Sequence, residues 1–265
     1  MIPFRQISGE RPSEELQRMS LIQHLQELRK RILWSLVFTA LAFFFCWEKH
    51  EQIFDFLQVP IKQILPPGAK LVFMGITDPF ILYFKVAALA ALFMASPFIL
   101  FQLWKFISPG LYRRERRYVL PFIFFGTVFF LSGGAFAYKI AFPYAAHFLL
   151  DVGSKFQPML TIDRYFGLEM GIILGLGLMF ELPIVIFTVC EIGVVTPRFL
   201  MKHFRYAVMI IFILAAILTP TPDVFNMCVV AVPTLCLYLL GVGAAALSQL
   251  RRKRRQVASE AASRA

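Results

Sequence analysis

The chain has 265 residues and a net charge of +11, with 58% hydrophobic and 16% charged residues and a mean hydropathy of +0.69. Soluble domains carry about 25% charge, so a water-soluble globule is excluded and the bilayer is the solvent this composition implies. The basic residues sit in short stretches between apolar runs, which marks them as topology signals and argues against nucleic acid as a partner.

Residues 1–19 form a polar tail containing Glu10, Glu14 and Glu15, unlike a cleavable signal peptide or an Arg-rich transit peptide. Leu21, Ile22, Leu25, Leu28 and Ile32 then recur at helical spacing, with Ser20 as a candidate N-cap and Gln23, Gln26, Glu27 and Lys30 on the other face. This predicts an amphipathic helix on the cytoplasmic surface that leads into a first span at 32–47. Residues 48–77 make an outer loop, with a short helix and then turns at Pro66-Pro67-Gly68 capping that side. A second span is expected at 79–104 and a third at 119–141. A second outer loop at 142–164 precedes a fourth span at 165–190.

The fifth apolar segment, 206–218, rises only about 20 Å as a helix. Either it thins the bilayer or hides its ends in protein, or it extends a turn beyond these bounds. After Pro220-Thr221-Pro222-Asp223 comes a sixth span at 224–247, and a basic tail fills 248–265. The whole reads as one membrane domain with a core from 20 to 247. Twenty of the 27 Lys and Arg residues fall before the first span, in 105–118, in 191–206 and in the tail; six fall in 48–77 and 139–164. By the positive-inside rule both termini face the cytoplasm.

Enzyme signatures are missing: the sequence holds no GxxxxGK[ST] loop, HExxH or GxSxG. Cys46, Cys190, Cys228 and Cys236 lie in or beside apolar segments without a CxxC pair, so they read as packing residues. No cofactor or metal is expected. Glu181 reads as the lone acid near a span midplane. An ionisable residue there costs about 2.5–3.5 kcal/mol on insertion scales. It is either a polar site open to water or a partner helix, or a hydrogen-bonding link between helices. Gly167, Gly171 and Gly175 recur every four residues, the pattern of close helix packing. Pro183 invites a kink. Glu115 stands among four arginines, and Glu27 lies in a similar basic string. Each either makes a local surface salt bridge or is held to receive an incoming cation.

Four strings carry a family resemblance. His24 to Arg31 (HLQELRKR), Phe101 to Arg117 (FQLWKFISPGLYRRERR), Phe180-Glu181-Leu182-Pro183, and Leu218 to Phe225 (LTPTPDVF) resemble, in order and spacing, the motifs of the TatC family, the largest subunit of the twin-arginine protein translocase. The family more often has adjacent prolines in the last string, where Thr221 intervenes here. The resemblance implies a cupped, all-α bundle of six spans in a bacterial inner membrane. It implies a receptor for twin-arginine signal peptides of folded precursors, energised by the proton-motive force. Glu27 and Glu115 would take the paired arginines, with Arg29 and Phe106 at further functional positions. Glu181 would line the face that binds the apolar part of the signal and the single-span subunits TatA and TatB. Pro60, Phe80, Tyr138 and Asp223 match other motif positions, and homo-oligomers are implied. The rival reading is a proton-coupled small-molecule transporter built on Glu181, for which Lys85 is the candidate polar partner.

Overall fold

The computed structural model describes residues 21–64, 71–107, 119–156, 159–219 and 223–264. These residues are helical apart from turns and one isolated parallel bridge between Val72 and Thr161. The helices are α1 (Leu21–Glu48), α2 (His50–Leu57), α3 (Val59–Ile64), α4 (Asp78–Ile107), α5 (Val119–Phe136), a π-helical turn (Ala137–Ala141), α6 (Phe142–Val152), α7 (Ile162–Met179), α8 (Leu182–Glu191), α9 (Pro197–Lys202), α10 (Phe204–Leu218) and α11 (Val224–Arg264). Among the described residues, five helical stretches are long and apolar enough to cross a membrane: Gln23–Glu48, Asp78–Phe106, Val119–Val152, Ile162–Glu191 and Val224–Arg251. α10 is apolar but shorter, and its 15 residues rise about 22 Å.

The differences from the expected elements have local causes. The amphipathic stretch at 21–32 is no separate surface helix: it runs unbroken into the first span as α1, since nothing between Leu28 and Trp34 interrupts the helix. Ser20 lies outside the described residues. The third span does not end at 141, and the first half of the expected outer loop continues as helix to Val152. Pro143 sits in the first turn of α6, where its missing N–H costs least. The fourth span divides at Phe180–Glu181 into α7 and α8. Pro183 has no N–H for the carbonyl one turn back and its ring crowds that turn. α11 extends well past 247 because the basic tail holds no helix breaker.

Prolines inside spans are tolerated where a side chain re-satisfies the backbone. Pro97 frees the Phe93 carbonyl, which accepts from Ser96 Oγ at 2.8 Å. α8 ends in a Schellman turn: Gly193 takes φ +82°, its N–H reaches the Cys190 carbonyl, and the Val194 N–H reaches that of Val189. Thr219 is extended, as a residue before proline must be, and its hydroxyl donates to the Ala215 carbonyl at 2.9 Å.

The core is built on α7. Phe166, Glu169 and Leu176 are fully buried, packed with Val86 of α4, Ala137 and Phe142 of the third span, and Ala215 and Ala231. Its closest neighbour is α5, at glycines. A Cβ on Gly133 would stand 2.7 Å from the Leu176 carbonyl oxygen, while one on the adjacent Gly134 would stand 2.3 Å from the Phe93 ring of α4. Gly241 of α11 meets Pro183 Cα in the same way, at 2.8 Å. The four-residue glycine pattern is not the packing seam it was expected to be. Among the described residues nothing lies within 4 Å of a Cβ at Gly167 or Gly171; Gly175 packs on Leu218 and Gly177 on Phe130. α1 packs chiefly along α4.

The segment after α1 holds two helices where one was expected, and the turns expected at Pro66-Pro67-Gly68 lie outside the described residues. α2 and α3 are short helices, and Leu57, Pro60 and Ile61 are buried. Lys85 of α4 pairs with Asp163 of α7 at 2.7 Å, and Val72 bridges to the strand-like residues before α7. All four cysteines are free thiols.

Candidate functional site

The first site lies at the N-terminal end of α1, against the C-terminal end of α4. Glu27 faces α4 and is partly buried. Its Oε1 accepts from Arg31 Nε at 2.7 Å and also from Arg31 Nη2, one helical turn along. Arg31 Nη1 donates in turn to Gln102 Oε1 on α4, at 3.3 Å. One turn earlier, His24 stacks on Phe106 with ring centres 4.5 Å apart. Both arginine bonds fall on one carboxylate oxygen, and among the described residues Oε2 has no hydrogen-bond partner. A carboxylate can take a guanidinium through two parallel bonds, so this group can still bind a cation in a fixed orientation.

Glu27 and Phe106 are therefore brought together. Arg29 is not with them: it is exposed on another face of α1, where Gln26, Lys30, Leu33, Trp34 and Val37 line a shallow depression beside it. Glu115 lies outside the described residues.

The second site is Glu181, in the turn between α7 and α8. Its φ and ψ of −73° and −11° flatten the chain there. Oε2 points at Gly126 of α5, 3.3 Å from where a Cβ would be. Oε1 is buried with no hydrogen-bond partner among the described residues, as is the hydroxyl of Thr127 next to Gly126. Glycine at 126 is what lets a carboxyl enter this seam. Beyond Pro183, an apolar cavity of about 410 Å³ opens between α5 and α8, with Trp104, Phe122, Phe125, Ile184, Phe187 and Glu191 among its walls. Glu181 itself does not line that cavity.

Glu181 is not the lone acid of the spans. Glu169 is 0% exposed in α7, and neither carboxyl oxygen has a hydrogen-bond partner among the described residues. The Tyr165 hydroxyl, one turn earlier, is equally buried and unpartnered. The residue stood in the sequence, at Leu168-Glu169-Met170; its burial among helices from distant parts of the chain did not. Lys85 is committed to Asp163, which takes away the partner that the transporter reading gave to Glu181.

The other motif positions have structural employment. The Tyr138 hydroxyl donates to the Phe56 carbonyl at 2.5 Å and so ties α2 to the third span. Asp223 caps α11, accepting from the Asn226 backbone N–H at 2.8 Å and from the Asn226 side chain at 2.9 Å. Phe80 is exposed and meets Trp47 edge-on at 5.7 Å. Pro60 is buried in the cap.

Residues 23–233 match the family model described as Sec-independent protein translocase protein (TatC). The chain belongs to the TatC family. It is 49% identical over 248 residues to the Sec-independent protein translocase protein TatC of Koribacter versatilis, covering 92% of each chain. With the TatC protein of Desulforapulum autotrophicum the identity is 36%, over 87% of this chain and 85% of that one. Among solved structures, a crystal structure of the twin-arginine translocase receptor TatC superimposes with a TM-score of 0.74 at 31% identity, covering 85% of this chain and 99% of that one. A second, in DDM, gives 0.75 at 32% identity, over 84% and 99%. As a TatC, the protein is a multi-pass membrane component of the Sec-independent translocase, with the all-helical fold of the solved receptor. The match ends at Pro233, so the basic end of α11 lies outside the family model.

Proposed function

We propose that the α1–α4 end reads the arginine pair of a twin-arginine signal peptide. The observation that carries this is the Oε2 of Glu27, which has no hydrogen-bond partner among the described residues, on a carboxylate held by Arg31, itself bonded to Gln102. One incoming guanidinium binds there and Glu115 takes the other. Each charge-assisted bond contributes about 1.5–3 kcal/mol, and lysine cannot reproduce the fork. Phe106 flanks the site through its stack on His24, and Arg29, on another face of α1, meets a separate part of the signal. Glu181 receives the apolar part of the signal and docks single-span TatA and TatB subunits, which bring a polar group to its buried carboxyl.

The single membrane domain lies in a bacterial inner membrane with both termini cytoplasmic. This rests on the distribution of Lys and Arg and on the family. The receptor works as a homo-oligomer, and export draws on the proton-motive force, about 2.3 kcal/mol per charge per 100 mV.

The test is co-purification of a precursor with detergent-extracted protein. Glu27→Ala with Glu115→Ala should abolish capture while the thermal unfolding profile stays that of the wild type. Undiminished capture by the double variant refutes the site. Orientation is tested by reporters active only outside the cytoplasm. Fusions near Gln63, Gln157 and Thr221 should be active, and those near Arg114, Lys202 and Arg255 inactive; activity at Arg114 inverts the topology. For Glu181, a cysteine placed there in a background without native cysteines should be labelled by a water-soluble thiol reagent faster than one at buried Ile173. Equal rates, with export retained by Glu181→Gln, leave it a purely structural group.

A further inference from the structure

The π-helical turn at Ala137–Ala141 does two things at once. Such turns insert one residue into an α-helix and re-aim the side chains around it. Here Tyr138 turns toward α2, bonding the Phe56 carbonyl and stacking on the Phe56 ring at 4.6 Å. Lys139 next to it turns outward: it is exposed and has no ion-pair or hydrogen-bond partner among the described residues. Asp55, next to Phe56 in α2, accepts from Gln58.

Below Lys139 lies an apolar cavity of about 280 Å³ between α2, α4 and α5. Phe56 of α2, Leu89 and Phe93 of α4, and Leu131 and Ala135 of α5 line it, together with Lys139, which is exposed. Leu131 and Ala135 precede Lys139 by eight and four residues, so they stand on nearly the same face, about 12 and 6 Å further along the helix. A cation therefore sits at one end of an apolar slot that runs away from it along the helix axis. An unpaired lysine inside a span needs a reason. Snorkelling to water would account for the ammonium, but not for an apolar slot beneath it.

We propose that this slot binds one bilayer phospholipid, with its phosphate on Lys139 and one acyl chain lying in the cavity along Ala135 and Leu131. The positive charge favours an anionic headgroup such as phosphatidylglycerol over a zwitterionic one. The bound lipid fills the space between cap and bundle, so the position of α2 is held from below by the chain and from the side by Tyr138. The inference is independent of the signal-peptide reading, since none of these residues belongs to that site.

The experiment uses the full chain reconstituted in dioleoyl-phosphatidylcholine vesicles doped with phosphatidylglycerol carrying a photoreactive acyl chain. Crosslinks are mapped by peptide mass spectrometry, with those on the basic end of α11 as internal control. The peptide containing Leu131 and Lys139 should be labelled in the wild type. Lys139→Gln should lower that yield about five-fold, the weight of one lysine facing an anionic surface, leaving the α11 yield unchanged. Lys139→Arg should keep it. Ala135→Trp, which fills the mouth of the slot, should lower it as far. If Ala135→Trp fails to fold, Ala135→Leu serves in its place. An unchanged yield on that peptide in Lys139→Gln, or in a folded slot-filling variant, overturns the proposal.

Discussion

The first and fourth spans are both apolar helices, yet they are held in opposite ways. In α1 only 11% of the most apolar 18-residue stretch is buried, against 50% in the stretch through α7 and α8. α1 rests on one partner, α4, through ring contacts such as Phe38 on Phe98 at 4.7 Å and the Glu27–Arg31–Gln102 chain at one end. α7 is surrounded, and its seam with α5 is close enough to require glycine. An element that must present polar groups to a passing ligand cannot also be buried on all sides. The proposed signal-reading site accordingly lies on the span with least burial, and the fold depends on the span with most.

Four predictions press on this contrast. The largest effect belongs to the α5–α7 core. Gly133→Val places a side chain against the Leu176 carbonyl of α7, which stands 2.7 Å from where its Cβ would be, and should destabilise by about 3 kcal/mol, the upper range for overpacking, seen as a lower melting temperature in detergent. A change under 1 kcal/mol would mean the seam can yield, and that the two spans are less different than their burial suggests.

Next is the α11 cap. Asp223→Ala removes both bonds to Asn226 and should cost about 1 kcal/mol, with Asp223→Asn recovering most of it. Tyr138→Phe deletes the bond to the Phe56 carbonyl. It should cost about 0.5–1.5 kcal/mol and speed amide exchange in α2 while leaving exchange in α7 unchanged. Equal acceleration in both would show that cap and core open as one unit.

The smallest stability effect belongs to the α1 end. Arg31→Gln breaks a partly exposed pair and should change stability by about 0.5 kcal/mol or less, yet alter precursor capture, because Glu27 loses its orientation. If melting falls as far as for Gly133→Val, the α1–α4 end is structural and the functional contrast is lost.

The spans were legible in the sequence because apolar runs of about 20 residues have one low-energy home. The break at Glu181 was legible too, since Pro183 acts on its own preceding turn. So were the shortness of α10, a short helix after α1 and the family motifs, all properties of contiguous residues. Packing was not legible. Glycines at 167 and 171 share the spacing of a helix seam but meet nothing among the described residues, while the adjacent pair at 133 and 134 meets α7 and Phe93. Spacing says which glycines share a face, and only the bundle says what lies opposite. For the same reason Glu27 and Phe106 could be placed together, and Arg29 apart, only once α1 was laid along α4. Glu169 was one more acid among apolar letters until helices from four parts of the chain closed around it. Hydrophobicity and backbone chemistry act locally and can be read from neighbours in sequence; which partner each polar group meets depends on contacts between residues far apart in the chain, and the tertiary structure alone decides it.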